Sequence, residues 1–201
     1  MSSILRHGLD EAIRMLDDPE RVRRHDPARL FSQISLPDGA VVLDLGCGTG
    51  FFALPARAAA GRDGVVYAVD SNLSMLNVVK QKVREGGVEN LCPILSDVHR
   101  VPLQDHSADL VIMANIFHDL RRPDALAEVG RLLKKRSGRL VLIEWKKIPT
   151  ERGPPVEIRL TQDEATEFLR KFGYTIQSAF ETSPSHYCII AQAPTTTVTS
   201  A

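Results

Sequence analysis

The chain has 201 residues, of which 43% are hydrophobic, so it can fill one substantial core and a single domain is the simplest prediction. Lysine and arginine total 25 and aspartate and glutamate total 25, and this balance predicts no nucleic-acid partner, because no net positive field attracts a polyanion. Three widely spaced cysteines suit neither a disulfide framework nor a four-ligand zinc site, so we expect a cytoplasmic protein without a metal.

The first 39 residues are predicted to be helical in their early part and then broken by Pro19, Pro27 and Pro37. We interpret residues 1–39 as a helical lid or flank of the domain that follows, residues 40–193. Charged residues among the first apolar ones leave no signal-peptide apolar region. No apolar run in the sequence is long enough to span a membrane, so no membrane span is expected.

Four short, almost continuously apolar runs come next, and each is typical of a parallel strand that is covered on both faces. They are Val41–Leu45, 65–69, Leu110–Ala114 and 140–143. Apolar residues at helical spacing lie between them, so strand and helix alternate as βαβ units require. Leu91–Leu95 also has the composition of a strand, but Pro93 cannot donate to a ladder, which predicts a position at the sheet edge.

The last part of the domain predicts one more helix and then an antiparallel hairpin. Thr161 and Glu164 have the spacing of a capping box at a helix start. Residues 174–182 and His186–Gln192 read as two strands whose connection is too short for a parallel crossover. The predicted fold class is therefore α/β, a Rossmann-like, mostly parallel sheet with helices on both faces and a C-terminal antiparallel β-hairpin. Residues 194–201 are predicted to be a disordered tail.

A glycine-rich turn after the first strand is the strongest chemical signal in the sequence. Asp44 precedes three glycines two residues apart, Gly46, Gly48 and Gly50. Backbone without Cβ atoms can adopt positive φ and approach a ligand closely, and the amides at the next helix start can bind an anionic group. A dinucleotide fingerprint would place its third glycine at position 51, which is Phe51, so this spacing disfavours the alternative of an NAD enzyme.

Polar residues also follow the other predicted strands. Asp70 ends the second strand, Asp97 follows the third and Asn115 follows the fourth. Ligands bind at this carboxyl edge in open α/β sheets, where Asp70 can accept hydrogen bonds from ribose hydroxyls. The alternative for Asp70 is a helix N-cap, and the alternative for Asp97 or Asn115 is an ordinary turn residue.

The glycine turn and this row of polar residues make the chain resemble the class I methyltransferases that bind S-adenosylmethionine. The resemblance is to the small-molecule branch that includes the ubiquinone and menaquinone C-methyltransferases, and it covers residues 17–192. Residues 41–50 look like the first motif of the family. The chain lacks the Asn-Pro-Pro-Tyr element of amino-group DNA methylases and the cysteine set of arsenite methyltransferases. The resemblance implies a methyltransferase with a small-molecule acceptor and S-adenosylmethionine as cofactor.

The resemblance also implies how the cofactor would be held. The glycine turn would wrap the methionine part, Asp70 would hold the ribose hydroxyls and Asn115 would help to hold the aminoacyl end. Met75 would pack near the adenine, Asp97 would accept from the adenine amino group, and Val98 would offer its backbone amide. The predicted cofactor-binding residues are Asp44, Gly46, Cys47, Gly48, Gly50, Asp70, Ser71, Met75, Asp97, Val98 and Asn115.

His118, three residues after Asn115, is the candidate catalytic base for an acceptor that arrives protonated, and Asp119 is placed to orient its imidazole. The alternative for His118 is a helix cap or packing residue. We predict that Phe117, His118 and Lys146 bind the acceptor, although a solvated charge is an equal alternative for Lys146. The alternative function is a non-catalytic domain that binds the cofactor as a sensor or partner subunit. The acceptor and the oligomeric state, including a homodimer, stay open.

Overall fold

The computed structural model describes residues 8–120 and 123–194. Its strands are β1 Val41–Leu45, β2 Val65–Asp70, β3 Leu91–Leu95, β4 Leu110–Ala114, β5 Arg139–Trp145, β6 Thr175–Ser183 and β7 His186–Gln192. They form one seven-stranded sheet in the order β3-β2-β1-β4-β5-β7-β6. The strands from β3 to β5 in this order are parallel, whereas β7 is antiparallel to both β5 and β6. This topology confirms the predicted fold class.

Eight helices surround the sheet in the described part of the chain. They are α1 Leu9–Leu16, α2 Glu20–His25, α3 Pro27–Ser32, α4 Ala53–Ala60, α5 Leu73–Glu85, α6 Phe117–Leu120, α7 Pro123–Leu132 and α8 Gln162–Lys171, with a 3-10 turn at Val156–Ile158. Within the described ranges, no helix has the length and apolar character that a membrane crossing requires. Part of the predicted tail, residues 195–201, and the start of the predicted lid, residues 1–7, lie outside the described residues.

The two central strands β1 and β4 send alternate side chains into two apolar cores, one on each face of the sheet. Leu43 and Val111 belong to the core that α7 and α8 cover, whereas Val42 and Ile112 belong to the core that α3, α4 and α5 cover. Burial on both faces explains why these strands read as continuous apolar runs. The strand that carries Pro93 lies at an edge of the sheet, as predicted.

The C-terminal elements agree with the sequence pattern and extend it. The capping box is present, because the Thr161 side chain accepts from the Glu164 amide and the Glu164 carboxylate accepts from the Thr161 amide. Strand β5 runs beyond the predicted residues 140–143, since Glu144 and Trp145 still pair with β7. This extension brings Glu144 to the carboxyl edge of the sheet.

The N-terminal segment is more helical than predicted. Its prolines do not end the helices, because Pro19 directly precedes α2 and Pro27 is the first residue of α3. Proline is tolerated in the first turn, where a missing N–H leaves no hydrogen bond unmade. The side chain of Asp26 caps α3 by accepting from the Arg29 amide at 3.1 Å. The chain is therefore broken near Pro19 and Pro27, as predicted, but each break is followed by another short helix, and helical structure continues to Ser32.

Candidate functional site

The loop between β1 and α4 is a tight turn whose backbone conformation favours glycine. Gly46, Gly48 and Gly50 have φ values of 66°, 53° and 84°, in the left-handed region that disfavours other residues. A Cβ at Gly46 would lie 2.8 Å from Cγ2 of Ile116 in the loop after β4. The amide of Cys47 donates to the carbonyl of Val69 at 3.0 Å and ties the turn to β2. The conformation of this turn at the carboxyl edge is therefore fixed by its neighbours on β2 and after β4.

Asp70 closes the glycine loop from the end of β2. Its Oδ2 accepts a hydrogen bond from the Gly48 amide at 2.8 Å, and its Oδ1 accepts one from the Asn72 amide at 2.8 Å. The N-cap of α5 is Asn72, whose side chain accepts from the Ser74 amide at 2.9 Å. This excludes the alternative of Asp70 as the helix N-cap and leaves its half-buried carboxylate beside the glycine loop.

Asp44, near the end of β1, places a carboxyl group under the glycine loop. The residue is 1% exposed, and its Oδ2 has no hydrogen-bond partner among the described residues. Burial raises the pKa of Asp44 from 3.8 to about 7; the Ala53 amide lowers it, the Asp70 carboxylate raises it and the Arg21 guanidinium lowers it. Within the same described ranges, Oγ1 of Thr49 and Oδ1 of Asn115 are also buried without a partner. These oxygens need a donor that a ligand can supply.

The residues predicted to hold an adenine ring are spread over the next part of the edge. Ser71 is exposed, Val98 is half-buried, and Met75 is 4% exposed on α5. Asp97 accepts from the His99 amide at 2.9 Å and also pairs with the His99 imidazole. Its side chain is still 68% exposed, so its carboxylate is open to solvent.

Two exposed leucines, Leu73 and Leu95, also lie here. They stand at the start of α5 and at the end of β3. This part of the edge therefore combines apolar surface with the open carboxylate of Asp97.

Beyond Asn115, the edge is organised by a buried pair of His118 and Glu144. The Nδ1 atom of His118 lies 3.0 Å from each carboxylate oxygen of Glu144. That carboxylate also accepts from the amides of Phe117 at 2.9 Å and Trp145 at 3.1 Å. The side chains of His118 and Glu144 are 3% and 1% exposed. The predicted partner, Asp119, is a more distant neighbour, 3.7 Å from Nε2 of the imidazole.

The role of Glu144 was not predicted from the sequence. The available signal was one acidic residue near the end of an apolar strand. A buried carboxylate needs partners, and strand β5 ends beside the loop that carries His118. Phe117, predicted to contact an acceptor, has its ring in the core against Phe168, with ring centroids 5.7 Å apart. Only the backbone amide of Phe117 takes part in this polar cluster.

A cluster of rings, made of His25, Phe51, Phe52, Trp145 and His186, covers this edge where α2 meets β7. The ring centroids of His25 and His186 are 4.3 Å apart, and those of Trp145 and His186 are 4.0 Å apart. His186 is fully buried and His25 is 6% exposed. The ring cluster therefore forms a closed wall between the N-terminal helices and the end of β5.

The loop after β5 is wound around the buried side chain of Arg159. The guanidinium donates to the carbonyls of Pro154 at 2.6 Å and Ile148 at 2.8 Å, and to Oγ1 of Thr150 at 2.8 Å. Lys146, the predicted acceptor ligand, is paired with Glu181 at 2.7 Å. The loop is therefore fixed by Arg159, which sequence reasoning did not identify.

The N-terminal helices lie across the glycine loop. A Cβ at Gly48 would be 3.2 Å from Cδ1 of Leu16 at the end of α1. Lys82 on α5 joins the two regions, because its Nζ donates to Asp17 at 2.7 Å and to the carbonyl of Thr49 at 3.0 Å. The segment predicted as a lid thus contacts the loop directly.

Comparison with known proteins adds to this geometry. A family model described as a methyltransferase domain matches residues 42–136. An S-adenosylmethionine-dependent methyltransferase from Aquifex aeolicus has 32% identity and a TM-score of 0.83, over 89% of this chain and 95% of that one. The chain belongs to the S-adenosylmethionine-dependent methyltransferase family. A second similar structure is that of a protein from Sulfolobus solfataricus described as a type 11 methyltransferase. It has 27% identity and a TM-score of 0.68, over 88% of this chain and 96% of that one.

Curated relatives in the methyltransferase family include enzymes of quinone biosynthesis. A ubiquinone/menaquinone biosynthesis C-methyltransferase from Paraburkholderia xenovorans is 34% identical over 119 residues, 58% of this chain and 48% of the relative. The enzyme of the same name from Burkholderia orbicola is 28% identical over 144 residues, 71% of this chain and 59% of the relative. The chain thus spans about half the length of the curated relatives it matches.

The site of this methyltransferase-family chain fits the cofactor of the family. S-adenosylmethionine carries an amino-acid end with one ammonium and one carboxylate group, and a ribose with two hydroxyl donors. The glycine loop offers bare backbone, Asp70 offers a carboxylate, and the partnerless oxygens of Asp44 and Asn115 offer acceptors. Acceptors for the ammonium and the ribose hydroxyls are therefore present at one edge.

Proposed function

We propose that this chain is a methyltransferase that uses S-adenosylmethionine to methylate a small-molecule acceptor. The observation that carries the proposal is the glycine loop, closed by Asp70 and underlain by the buried Asp44 carboxyl. Bound S-adenosylmethionine supplies a methyl group that its sulfonium already activates. The remaining task of the protein is to align the acceptor and exclude water, and orientation alone contributes about 7 to 11 kcal/mol to such reactions.

In this proposal, the cofactor lies along the edge from Asn115 to Asp97. Asp44 and Asn115 hold its aminoacyl end with the loop of Gly46, Cys47, Gly48 and Gly50, and Asp70 holds the ribose. Ser71, Met75, Asp97 and Val98 form the adenine end, where the exposed Leu73 and Leu95 add apolar contact. The support is that these residues follow consecutive strands of one parallel sheet.

His118 is the proposed base for an acceptor that arrives with a proton. Glu144 accepts from Nδ1, which fixes the neutral tautomer in which Nε2 is the basic nitrogen. Glu144 is itself held by the amides of Phe117 and Trp145. Because Nδ1 is held in this way, Nε2 is the atom that receives the proton of the acceptor.

Residues 1–39 act as the lid of this site in our proposal. The support is the contact of Leu16 with Gly48 and the ion pair of Asp17 with Lys82. Lys146 takes part in acceptor binding once its exposed partner Glu181 is displaced. Three free cysteines, of which Cys47 and Cys188 are buried, support a cytoplasmic location.

A non-catalytic cofactor-binding domain is the second candidate, and one observation favours it. The side chain of His118 is 3% exposed, and the ring cluster covers the edge beside it. An enzyme must open this wall to admit an acceptor, whereas a sensor has no such need.

A screen of candidate acceptors with methyl-labelled cofactor tests the proposed function by the mass gain of one methyl group. The matched variants are His118→Asn, which keeps a donor near Glu144 but not the basic nitrogen, and Asp119→Asn beside it. We expect His118→Asn to lower turnover by about 10²- to 10⁴-fold with cofactor affinity unchanged, and Asp119→Asn to change turnover only a few-fold. Cofactor binding without methylation of any acceptor would favour the sensor.

A further inference from the structure

Asp44 combines complete burial with an unmatched carboxyl oxygen. It lies at the fourth of the five positions of β1, between β2 and β4, opposite Ala68 and Ile112. The Ala53 amide interacts with the carboxyl group, but Oδ2 has no hydrogen-bond partner in the part of the chain that the structure describes. A buried carboxylate in such surroundings is costly unless a cation or several donors face it. A neutral, protonated carboxyl avoids that cost.

The charged and titratable groups around Asp44 act on its ionisation in opposite directions. Asp70 from β2 acts against ionisation of Asp44, while Arg21 from α2 favours it. The guanidinium of Arg21 lies 4.2 Å from the centroid of the Phe51 ring, and it donates to the carbonyl of Leu16 at 2.5 Å. The nearby thiol of Cys47 has its pKa raised by burial, so it adds no charge at neutral pH.

Two further unmatched oxygens at the same edge of the sheet indicate what kind of ligand completes the site. Asn115 follows β4, the neighbour of β1, and its Oδ1 is buried without a partner within the described ranges. Thr49 in the glycine loop adds a third such oxygen. An ammonium group has three N–H donors and a full positive charge, whereas a sulfonium has no N–H donor. The ammonium therefore suits a set of acceptors that includes a carboxylate.

We propose that Asp44 is protonated in the free protein and loses this proton to solvent when the ammonium group of the cofactor binds. This inference rests on the proposed function and deepens it, since it couples binding of the cofactor's amino-acid end to the protonation of Asp44. The proton leaves the carboxyl oxygen, the ammonium keeps its own three protons, and the resulting ion pair replaces a neutral buried acid. Cofactor affinity is thereby coupled to pH.

Calorimetric titration of the complete chain at pH 6.5, in buffers of different ionisation enthalpy, counts the protons released on binding. With the pKa of Asp44 at about 7, we expect release of about 0.8 proton per bound S-adenosylmethionine. Affinity should rise about 15-fold from pH 5.5 to pH 7.0, a range below the ionisation of the ligand's own amino group. S-adenosylhomocysteine keeps the ammonium but lacks the sulfonium charge, so its binding should release the same number of protons.

Asp44→Asn should bind without proton release and with pH-independent affinity, whereas the matched control Asp63→Asn, at an exposed carboxyl, should behave as the wild type. If Asp44→Asn does not fold, the number of protons that the wild-type protein releases on binding still tests the inference. Binding without proton release overturns the inference and leaves the proposed function standing. Proton release with S-adenosylmethionine but not with S-adenosylhomocysteine overturns the assignment of the effect to the ammonium group. Absence of any binding overturns both the inference and the proposed function.

Discussion

The two halves of the carboxyl edge are built in opposite ways. On the glycine-loop half, buried oxygens such as Oδ2 of Asp44 and Oδ1 of Asn115 have no hydrogen-bond partner among the described residues. On the other half, Glu144 accepts from two amides and an imidazole, and Arg159 is bound by several carbonyls. The first half has acceptor oxygens that a ligand can use, whereas on the second half the Glu144 carboxylate and the Arg159 guanidinium are satisfied internally.

This difference indicates where binding requires rearrangement. A donor-rich ligand gains hydrogen bonds on the glycine-loop half, and the loop geometry is already fixed by Asp70. In our proposal, an acceptor binds on the other half and displaces ring contacts such as that between His25 and His186. We therefore expect cofactor binding to be tolerant of changes near Glu144 and sensitive to changes in the glycine loop.

The largest expected effect on stability comes from removing Glu144, the acceptor on the second half of the edge. Glu144→Ala leaves the imidazole and two buried amides without their acceptor, so we expect a loss of about 3 to 5 kcal/mol in the free energy of unfolding. Glu144→Gln keeps an acceptor oxygen and should lose less. Denaturant unfolding measures both variants. A loss below about 1 kcal/mol for Glu144→Ala would show that the pair of His118 and Glu144 does not stabilise this half of the edge.

Asp44→Asn should have the next largest effect, and its size depends on pH. The folded pKa of Asp44, about 7, lies above the ordinary value of 3.8, so the folded state binds this proton more tightly than the unfolded state. The stability from this group is therefore present below about pH 4 and is lost as the pH rises through 7.

Replacing the Asp44 carboxyl by an amide removes this loss of stability at high pH. Since one pKa unit corresponds to about 1.4 kcal/mol, Asp44→Asn should match the wild type near pH 4 and exceed it by up to about 4 kcal/mol at pH 8. Unfolding curves across this pH range give the difference directly. A difference that does not change with pH would mean that Asp44 does not retain its proton in the folded chain.

Glycine substitutions sharpen the comparison with a smaller effect. Gly46→Ala forces a Cβ to within 2.8 Å of Ile116 at φ 66°, whereas Gly87→Ala meets nothing within 4 Å at φ 59°. Strain of about 1 to 3 kcal/mol in the loop corresponds to roughly 5- to 150-fold weaker cofactor binding for Gly46→Ala. Gly87→Ala should lose a similar amount of stability through its backbone conformation but bind normally. Equal cofactor affinities of Gly46→Ala and Gly87→Ala would show that the glycine loop does not bind the cofactor.

The parts of the molecule that were predictable from sequence are those set by local pattern. The continuous apolar run of β1, the capping box at Thr161 and the glycine turn each depend on neighbouring residues, and the structure confirms each of them. The carboxyl-edge position of Asp70 follows from the parallel sheet topology. These features carry the fold and much of the cofactor side.

The parts that were not predictable depend on contacts between distant segments. Glu144 meets His118 only because β4 and β5 pair in one particular register, and the sequence instead favoured the adjacent Asp119. The contact of Leu16 with Gly48 likewise joins segments that no local pattern relates. Such packing of separate elements determines the structure around His118 and Glu144, which explains why these contacts could not be predicted from the sequence.

Calorimetric titration of S-adenosylmethionine and NAD into the wild type and Asp70→Ala tests the central claim most directly. The prediction is that the wild type binds S-adenosylmethionine and not NAD. Asp70→Ala should bind S-adenosylmethionine roughly 10- to 150-fold more weakly, because a charged hydrogen bond contributes about 1.5 to 3 kcal/mol. Unchanged affinity in Asp70→Ala, or binding of NAD in place of S-adenosylmethionine, would contradict the account.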